Sequence, residues 1–134
     1  MATVGYSGTP LAKKLGIKEG SAVALLAAPK DLELEELPDG VSVRTTARGT
    51  NDVIVSFHEW RADLEKKVPS LLKALDINGG LWIAWPKKAS KVPTDITEDT
   101  VREVFLPLGL VDNKVCAVTD VWSGLRVVWR RENR

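Results

Sequence analysis

Apolar residues in this chain form two kinds of pattern, short continuous runs and longer periodic stripes. Continuous runs at residues 22–28 and 81–85 have no polar side, which is typical of strands covered on both faces of a sheet. Residues 52–57 form a compact β-branched run, and residues 41–45 alternate as a half-exposed edge strand does. These patterns predict a sheet with buried central strands.

Other segments carry apolar residues at three- and four-residue spacing, which is the helical period. Residues 58–74 have one such stripe, and Pro69 should kink or break this helix near Val68. A shorter helix is predicted to end at Gly16, and another begins near Thr97, which can cap it. Helices and strands therefore alternate along the chain.

This alternation predicts a mostly parallel sheet with right-handed crossovers. The last two strands, predicted at residues 115–121 and 125–129, have a link at 122–124 that is too short for a crossover, so they should pair antiparallel. We predict an α/β fold in which residues 1–134 form a single domain, with helices on both faces of a six-stranded sheet. The expected strand order is 2-1-3-4-6-5, with only the last strand antiparallel.

Composition excludes several classes of protein. A chain of 134 residues with 44% hydrophobic and 28% charged residues is typical of one globular domain. A net charge of +1 gives no long-range attraction to nucleic acid or to an anionic membrane. No apolar run approaches the roughly 20 residues of a membrane span. One cysteine and no signal pattern at the amino terminus predict a cytoplasmic protein.

The loop of residues 86–91, called the lysine loop below, is the first candidate site. Ligands in open α/β sheets bind at the carboxyl ends of the strands, and this loop brings Lys87, Lys88 and Ser90 to that edge. Ammonium groups, a hydroxyl and backbone N–H groups suit a phosphate or a carboxylate. The alternative is a solvated basic loop that holds no ligand.

Two further segments are candidates for an anionic ligand. Asp120, Trp122 and Ser123 follow a strand and should share the edge of the sheet with the lysine loop. A tight hairpin with a packed tryptophan explains these three residues equally well. Tyr6 and Ser7 lie in a glycine-rich segment before a helix amino terminus, which can bind an anion or simply cap the helix.

No catalytic constellation stands out from the sequence. His58 is the single histidine and can act as an acid–base group near neutral pH, but a partly exposed histidine at a helix start is the simpler interpretation. Cys116 lies among apolar residues, where an inert buried thiol is expected. With one histidine and one cysteine, no metal site is predicted.

The succession of elements resembles a shortened methyltransferase-type Rossmann core. In that fold a diglycine precedes the fifth strand, as Gly79 and Gly80 do here, and the last strand runs antiparallel. The glycine-rich loop of that family is replaced here by residues 27–29, two alanines and a proline. Arg44 ends the strand where the family has an acid that binds ribose. We therefore predict no cofactor, neither S-adenosylmethionine nor a dinucleotide.

Four segments also resemble the signature motifs of a family of small bacterial proteins of unknown function. They are residues 5–17 (GYSGTPLAKKLGI), 85–90 (WPKKAS), 110–117 (LVDNKVCA) and 122–126 (WSGLR). This resemblance implies a bacterial, stand-alone, cytoplasmic domain, and the family carries no assigned reaction.

Three functions stay open at this point. The leading one is a non-catalytic binding module whose carboxyl edge receives an anionic small molecule or an acidic protein partner. The second is a transferase-like enzyme that acts on a phosphorylated or carboxylated substrate, with His58 or Asp120 as base. The third is weak nucleic-acid binding, which the net charge of +1 disfavours. The sequence leaves open whether the final hairpin forms a homodimer.

Overall fold

The computed structural model describes residues 10–134 as six strands and three α-helices. The strands are β1 (Ala22–Leu26), β2 (Ser42–Arg44), β3 (Asn51–Phe57), β4 (Leu75–Pro86), β5 (Leu110–Ala117) and β6 (Trp122–Trp129). The helices are α1 (Leu11–Lys14), α2 (Arg61–Ala74) and α3 (Glu98–Phe105), with 3₁₀ turns at Lys88–Ser90, Leu106–Leu108 and Arg131–Asn133. No helix in this part of the chain is long and apolar enough to cross a membrane.

The six strands form one sheet in the order β2-β1-β3-β4-β6-β5. Strands β1 to β4 pair parallel with one another, whereas β6 pairs antiparallel with both β4 and β5. The predicted order, and the prediction that only the last strand is antiparallel, are therefore confirmed. The α/β class is confirmed with them.

Side chains of β4 alternate between two apolar layers on the faces of the sheet. Leu81, Ile83 and Trp85 pack in the layer formed with α2 and α3. Trp82 and Ala84 pack in the layer formed with α1. These five residues are at most 6% exposed. Because both faces of β4 are covered, its sequence here has no polar residue.

Helix α2 continues through Pro69, so the prediction of a break near Val68 is wrong. Pro69 lies on the solvent face of the helix, while Val68 and Leu71 are buried against the sheet. Proline removes one helical hydrogen bond. Apolar packing on both sides of Pro69 keeps the backbone helical, because most helix stability in proteins comes from such packing.

The turn of the last hairpin lies at residues 118–121 and not at the predicted 122–124. Thr119 organises this turn, because its Oγ1 accepts hydrogen bonds from the N–H groups of Val121 and Trp122 at 3.1 and 3.0 Å. Trp122 already belongs to β6 and pairs with Pro86 of β4. The earlier turn moves the start of β6 up to the carboxyl edge of the sheet.

The two edge strands of the sheet differ in length and regularity. Strand β2 has three residues, and all three are exposed. Strand β5 has eight residues, and its pairing with β6 shifts register between Asp112 and Lys114. Lys114 and its neighbour Val115 are exposed on this edge. Both edges are therefore short or irregular.

Candidate functional site

Strands β3, β4 and β6 bring three segments to one edge of the sheet. The N–H of His58, just after β3, donates to the carbonyl of Ala84 in β4 at 2.9 Å. The N–H of Lys87, just after β4, donates to the carbonyl of Val121, just before β6, at 2.8 Å. The turn after β3, the lysine loop and the start of β6 are therefore neighbours, as the parallel sheet predicts.

Three side chains at the end of β3 form a hydrogen-bonded chain. The Ser56 Oγ lies 2.6 Å from Nε2 of His58, and Nδ1 of His58 lies 2.7 Å from Oδ2 of Asp63 in the first turn of α2. Ser56 is 1% exposed and His58 is 3% exposed. The expectation of a partly exposed histidine is therefore wrong, because the end of β3 and the start of α2 enclose the ring.

The partners of His58 assign its tautomer. An ionised Asp63 only accepts hydrogen bonds, so Nδ1 of His58 carries the proton and Nε2 accepts from the Ser56 hydroxyl. Burial lowers the pKa of His58, and it outweighs the hydrogen bond and the charge of Asp63, which raise that pKa. His58 is therefore neutral at pH 7, with the lone pair on Nε2 that a general base needs.

As the pH is lowered, the fold should lose stability at a higher pH than that at which most carboxylates become protonated. The pKa of His58 is lower in the folded chain than its usual 6.5, so the unfolded chain takes up this proton first as the pH falls. The stabilisation is complete above about pH 6.5 and is lost as the pH falls through the lower, folded pKa, with a slope of up to about 1.4 kcal/mol per pH unit. Urea unfolding between about pH 5 and pH 7.5 measures this slope.

The variant His58→Gln provides the control for the acid effect. Glutamine keeps polar atoms at the site but does not titrate, so its free energy of unfolding should vary less between about pH 5 and pH 6.5 than that of the wild type. Equal slopes for both proteins would show that other groups cause the acid effect.

A cavity of about 640 Å³ opens where β4 ends. Lys87, Lys88 and Lys91 lie on its wall together with Ser123 from β6, and Trp85 contributes apolar surface. A volume of a few hundred Å³ suits a small molecule. The structure thus brings together Lys87, Lys88 and Ser123 from the residues that the sequence singles out, while their binding of an anion stays a prediction.

Two other residues named for this site lie outside the cavity wall. The Ser90 hydroxyl donates to the carbonyl of Lys87 at 2.7 Å and so closes the 3₁₀ turn of the lysine loop. Trp122 packs edge-on against Phe57, with ring centroids 5.3 Å apart, in the layer on the α1 side. Neighbouring residues of a strand point to opposite faces, so Ser123 reaches the cavity where Trp122 does not.

The remaining candidates lie elsewhere in the chain. Asp120 is exposed in the hairpin turn. Tyr6 and Ser7 lie outside the described residues.

Burial raises the pKa of the Cys116 thiol, which agrees with an inert side chain. Among residues 10–134, no group of three or more histidine, cysteine, aspartate or glutamate side chains is placed to hold a metal ion.

Two hydrogen bonds join the segment around His58 to residues 94 and 95, beside the cavity. The Thr94 hydroxyl donates to the carbonyl of Glu59 at 2.6 Å. The N–H of Arg61, at the start of α2, donates to the carboxylate of Asp95 at 2.7 Å. Thr94 also lines the cavity. The hydrogen-bonded chain of Ser56, His58 and Asp63, called the acid–base chain from here on, is therefore connected to the cavity at the carboxyl edge of the sheet.

Solved structures with a similar fold include a methyltransferase and a ribosomal protein methylase. A SAM-dependent methyltransferase from Aquifex aeolicus is similar with a TM-score of 0.61 and 15% sequence identity, over 87% of this chain and 86% of that chain. The fibrillarin pre-rRNA processing protein of Methanococcus jannaschii has a TM-score of 0.60 and 13% identity, over 84% and 68%. A ribosomal protein L11 methylase from Lactobacillus delbrueckii subsp. bulgaricus has a TM-score of 0.56 and 13% identity, over 90% and 76%.

These similarities confirm the methyltransferase-type Rossmann core. They also overturn the leading interpretation of the sequence, a non-catalytic binding module, because two of the similar structures are a methylase and a methyltransferase. No family model and no curated protein matches the chain, so membership of the bacterial family stays a prediction.

The ends of β1 and β2 do not fit the S-adenosylmethionine site expected for this fold. Ala27 follows β1 with a φ of 58°, a left-handed conformation that favours glycine, and its Cβ is a group that the glycine of a cofactor-binding loop lacks. Arg44 ends β2, and its Nη1 donates to the carbonyl of Arg48 at 2.9 Å. Arg44 thus places a cation where the family that the sequence resembles has a ribose-binding carboxylate. The proton transfer proposed for this chain needs only its own side chains.

Proposed function

We propose that this chain is a transferase-like enzyme that acts on a phosphorylated or carboxylated substrate, with His58 as its general base. The observation that carries the proposal is the hydrogen-bonded chain from Ser56 through His58 to Asp63 at the carboxyl end of β3. Its position supports the proposal, because ligands of open α/β sheets bind at this edge. The fold supports it as well, since transferring enzymes share that fold.

The proposed reaction begins with the loss of a proton from the acceptor group of the substrate. Nε2 of His58 takes this proton, either directly or through the Ser56 hydroxyl that lies 2.6 Å away. The Asp63 carboxylate holds the ring in the required tautomer and stabilises the imidazolium that forms. Ser56 and Asp63 therefore position His58. The deprotonated acceptor then attacks the group carried by a separate donor molecule, the bond between that group and the donor breaks, and the rest of the donor leaves with the bonding electron pair.

The lysines of the neighbouring cavity would hold the anionic part of the substrate. Lys88 and Lys91 are exposed on the cavity wall, where ammonium groups can form charge-assisted hydrogen bonds with a phosphate or carboxylate. Since His58 is covered, the acceptor group would reach it when the turn at residues 58–60 moves. Thr94 bonds that turn and lines the cavity, so a substrate in the cavity is well placed to drive this motion.

A conversion assay tests the proposal. The full chain is incubated with a mixture of phosphorylated and carboxylated metabolites, with S-adenosylmethionine, acyl-coenzyme A and ATP as group donors, and the products are identified by mass spectrometry. We expect at least one anionic metabolite to gain a group with the wild type and to stay unchanged with His58→Gln. Lys66→Gln changes an exposed residue of α2 and should keep the conversion.

Two results of this assay would contradict the proposal. One is that none of the metabolites is converted by the wild type with any of the donors. The other is that His58→Gln forms the same products at the same rate while it stays folded. A lower rate at limiting substrate with Lys88→Ala would support the role of the lysine loop.

We also infer that the chain belongs to the family of small bacterial proteins that its sequence motifs resemble. The segments at residues 85–90 and 122–126 support this inference, because they form the end of β4 and the start of β6 that meet at the candidate site. A cytoplasmic location agrees with the single cysteine.

A further inference from the structure

A second cavity, of about 620 Å³, lies at the opposite, amino edge of the sheet. The segment after α1, the starts of β3 and β4, and single residues of β5 and β6 surround it. Its lining includes four basic side chains and two acidic ones, which are Lys14, Lys18, Lys114, Arg126, Glu19 and Asp52. The basic residues exceed the acidic ones by two, so the cavity carries a net positive charge.

Arg126 is a partly buried cation of this cavity. Its guanidinium lies over Gly80, where a Cβ would come within 2.7 Å of the guanidinium carbon and of Nη2. A side chain at residue 80 would therefore displace the guanidinium. The second glycine of the diglycine thus provides the space that Arg126 fills, a role the sequence did not reveal.

The charge of Arg126 lacks a protein counter-ion in the described part of the chain. Among residues 10–134, its guanidinium makes no hydrogen bond and no ion pair. The nearby carboxylate of Asp52 accepts a hydrogen bond from the N–H of Ala22 at 2.8 Å. Burial, and to a lesser degree the charge of Arg134, lower the pKa of Arg126. A half-buried charge without a partner is costly, and an anion would remove that cost.

We propose that this cavity is a binding site for a small polyanion that carries a diphosphate group, with Arg126 as its main anchor. A planar guanidinium can hold a phosphate through two parallel hydrogen bonds. Lys14, Lys18 and Lys114 add point charges around it. The excess of two positive charges matches a diphosphate better than a single carboxylate. This site is separate from the proposed catalytic edge, at the other end of the strands.

Titration calorimetry of the full chain with inorganic pyrophosphate tests this site. The wild type should bind pyrophosphate, and Arg126→Gln should weaken the binding by about tenfold or more, since a charge-assisted hydrogen bond is lost. Gly80→Ala keeps every charge but displaces the guanidinium, so it should weaken the binding as well. Lys66→Gln, at an exposed position of α2 that lines neither cavity, should leave the affinity unchanged.

Further ligands distinguish the sources of the diphosphate. Tighter binding of ADP than of pyrophosphate would identify a nucleoside diphosphate, and equal binding would identify the diphosphate group alone. Thermal unfolding checks that each variant is folded, and Lys114→Gln, which changes an exposed residue, provides a second test if Arg126→Gln is unstable. Lys114→Gln should also weaken the binding.

Three results would overturn this site. The first is that the wild type binds neither pyrophosphate nor ADP. The second is that the affinity stays within about twofold in Gly80→Ala and Lys114→Gln, which would place the anion elsewhere. The third is that citrate binds as tightly as pyrophosphate, because the cavity would then not select phosphate groups.

Discussion

Replacing Trp82 with alanine should lower the free energy of unfolding by about 3–5 kcal/mol. Trp82 is 0% exposed and lies in the apolar layer between β4 and α1. Its indole Nε1 donates to the carbonyl of Leu15, just after α1, at 3.0 Å. The variant would leave a large void and a buried carbonyl without its donor. Urea or guanidinium unfolding, followed by circular dichroism, measures the loss.

Two further variants separate the causes of this effect. Trp82→Phe keeps most of the ring but removes the N–H, so it should cost about 1–3 kcal/mol, largely because the Leu15 carbonyl loses its donor. Trp60→Ala removes a tryptophan that is 50% exposed and should cost less than about 1 kcal/mol. If Trp82→Ala were no more destabilising than Trp60→Ala, the α1 layer would not contribute to stability as described.

His58→Gln should lower the rate of conversion about 10²- to 10⁴-fold on the substrate that the conversion assay identifies. Glutamine cannot take up the proton of the acceptor group. In the wild type, the rate at saturating substrate should fall as the pH drops and His58 becomes protonated. Burial lowers the pKa of His58, so this fall should begin below the usual pKa of a histidine, about 6.5. Steady-state rates between about pH 5 and pH 8 measure both effects.

Asp63→Asn tests whether the tautomer of His58 matters. An asparagine can donate its own N–H to Nδ1 of His58, which would place the ring proton on Nε2 and remove the base. The rate should therefore fall while the fold stays intact, since Asp63 is largely exposed.

A rate for His58→Gln within about tenfold of the wild type would rule out His58 as the general base.

The topology was predictable because its signals are local and strong. The run at residues 81–85 has no polar side, which requires a strand covered on both faces, and β4 is such a strand. The short link after β5 allows only an antiparallel neighbour. Pro69 misled the prediction because a sequence does not show how firmly Val68 and Leu71 are packed.

The acid–base chain left a weaker signal in the sequence. Ser56 and His58 are two residues apart, so they lie on the same face of an extended segment. Asp63 follows in the first turn of the next helix, and sequence reasoning could have grouped it with Ser56 and His58. Burial of the ring was not predictable, because it depends on how the end of β3 meets the start of α2.

The two cavities were predictable to different degrees. The carboxyl edge follows from the topology, which placed Lys87, Lys88 and Ser123 together. The hairpin turn lies earlier in the chain than predicted, so Trp122 belongs to β6 and packs on the α1 side of the sheet. The amino-edge cavity combines segments far apart in sequence, and no motif in the sequence marked it. Arg126 lies over Gly80 through the pairing of β4 with β6, which spacing along the chain does not encode.

The form of the two edge strands has a consequence for the behaviour of the protein at high concentration. An open sheet edge can recruit strands from other molecules and so start fibrils. Here β2 offers three exposed residues, too few for a stable ladder. Strand β5 is longer, but its register shift and the exposed charge of Lys114 interrupt the edge. Both devices oppose intermolecular strand addition, so concentrated solutions of the folded chain should resist aggregation through the sheet.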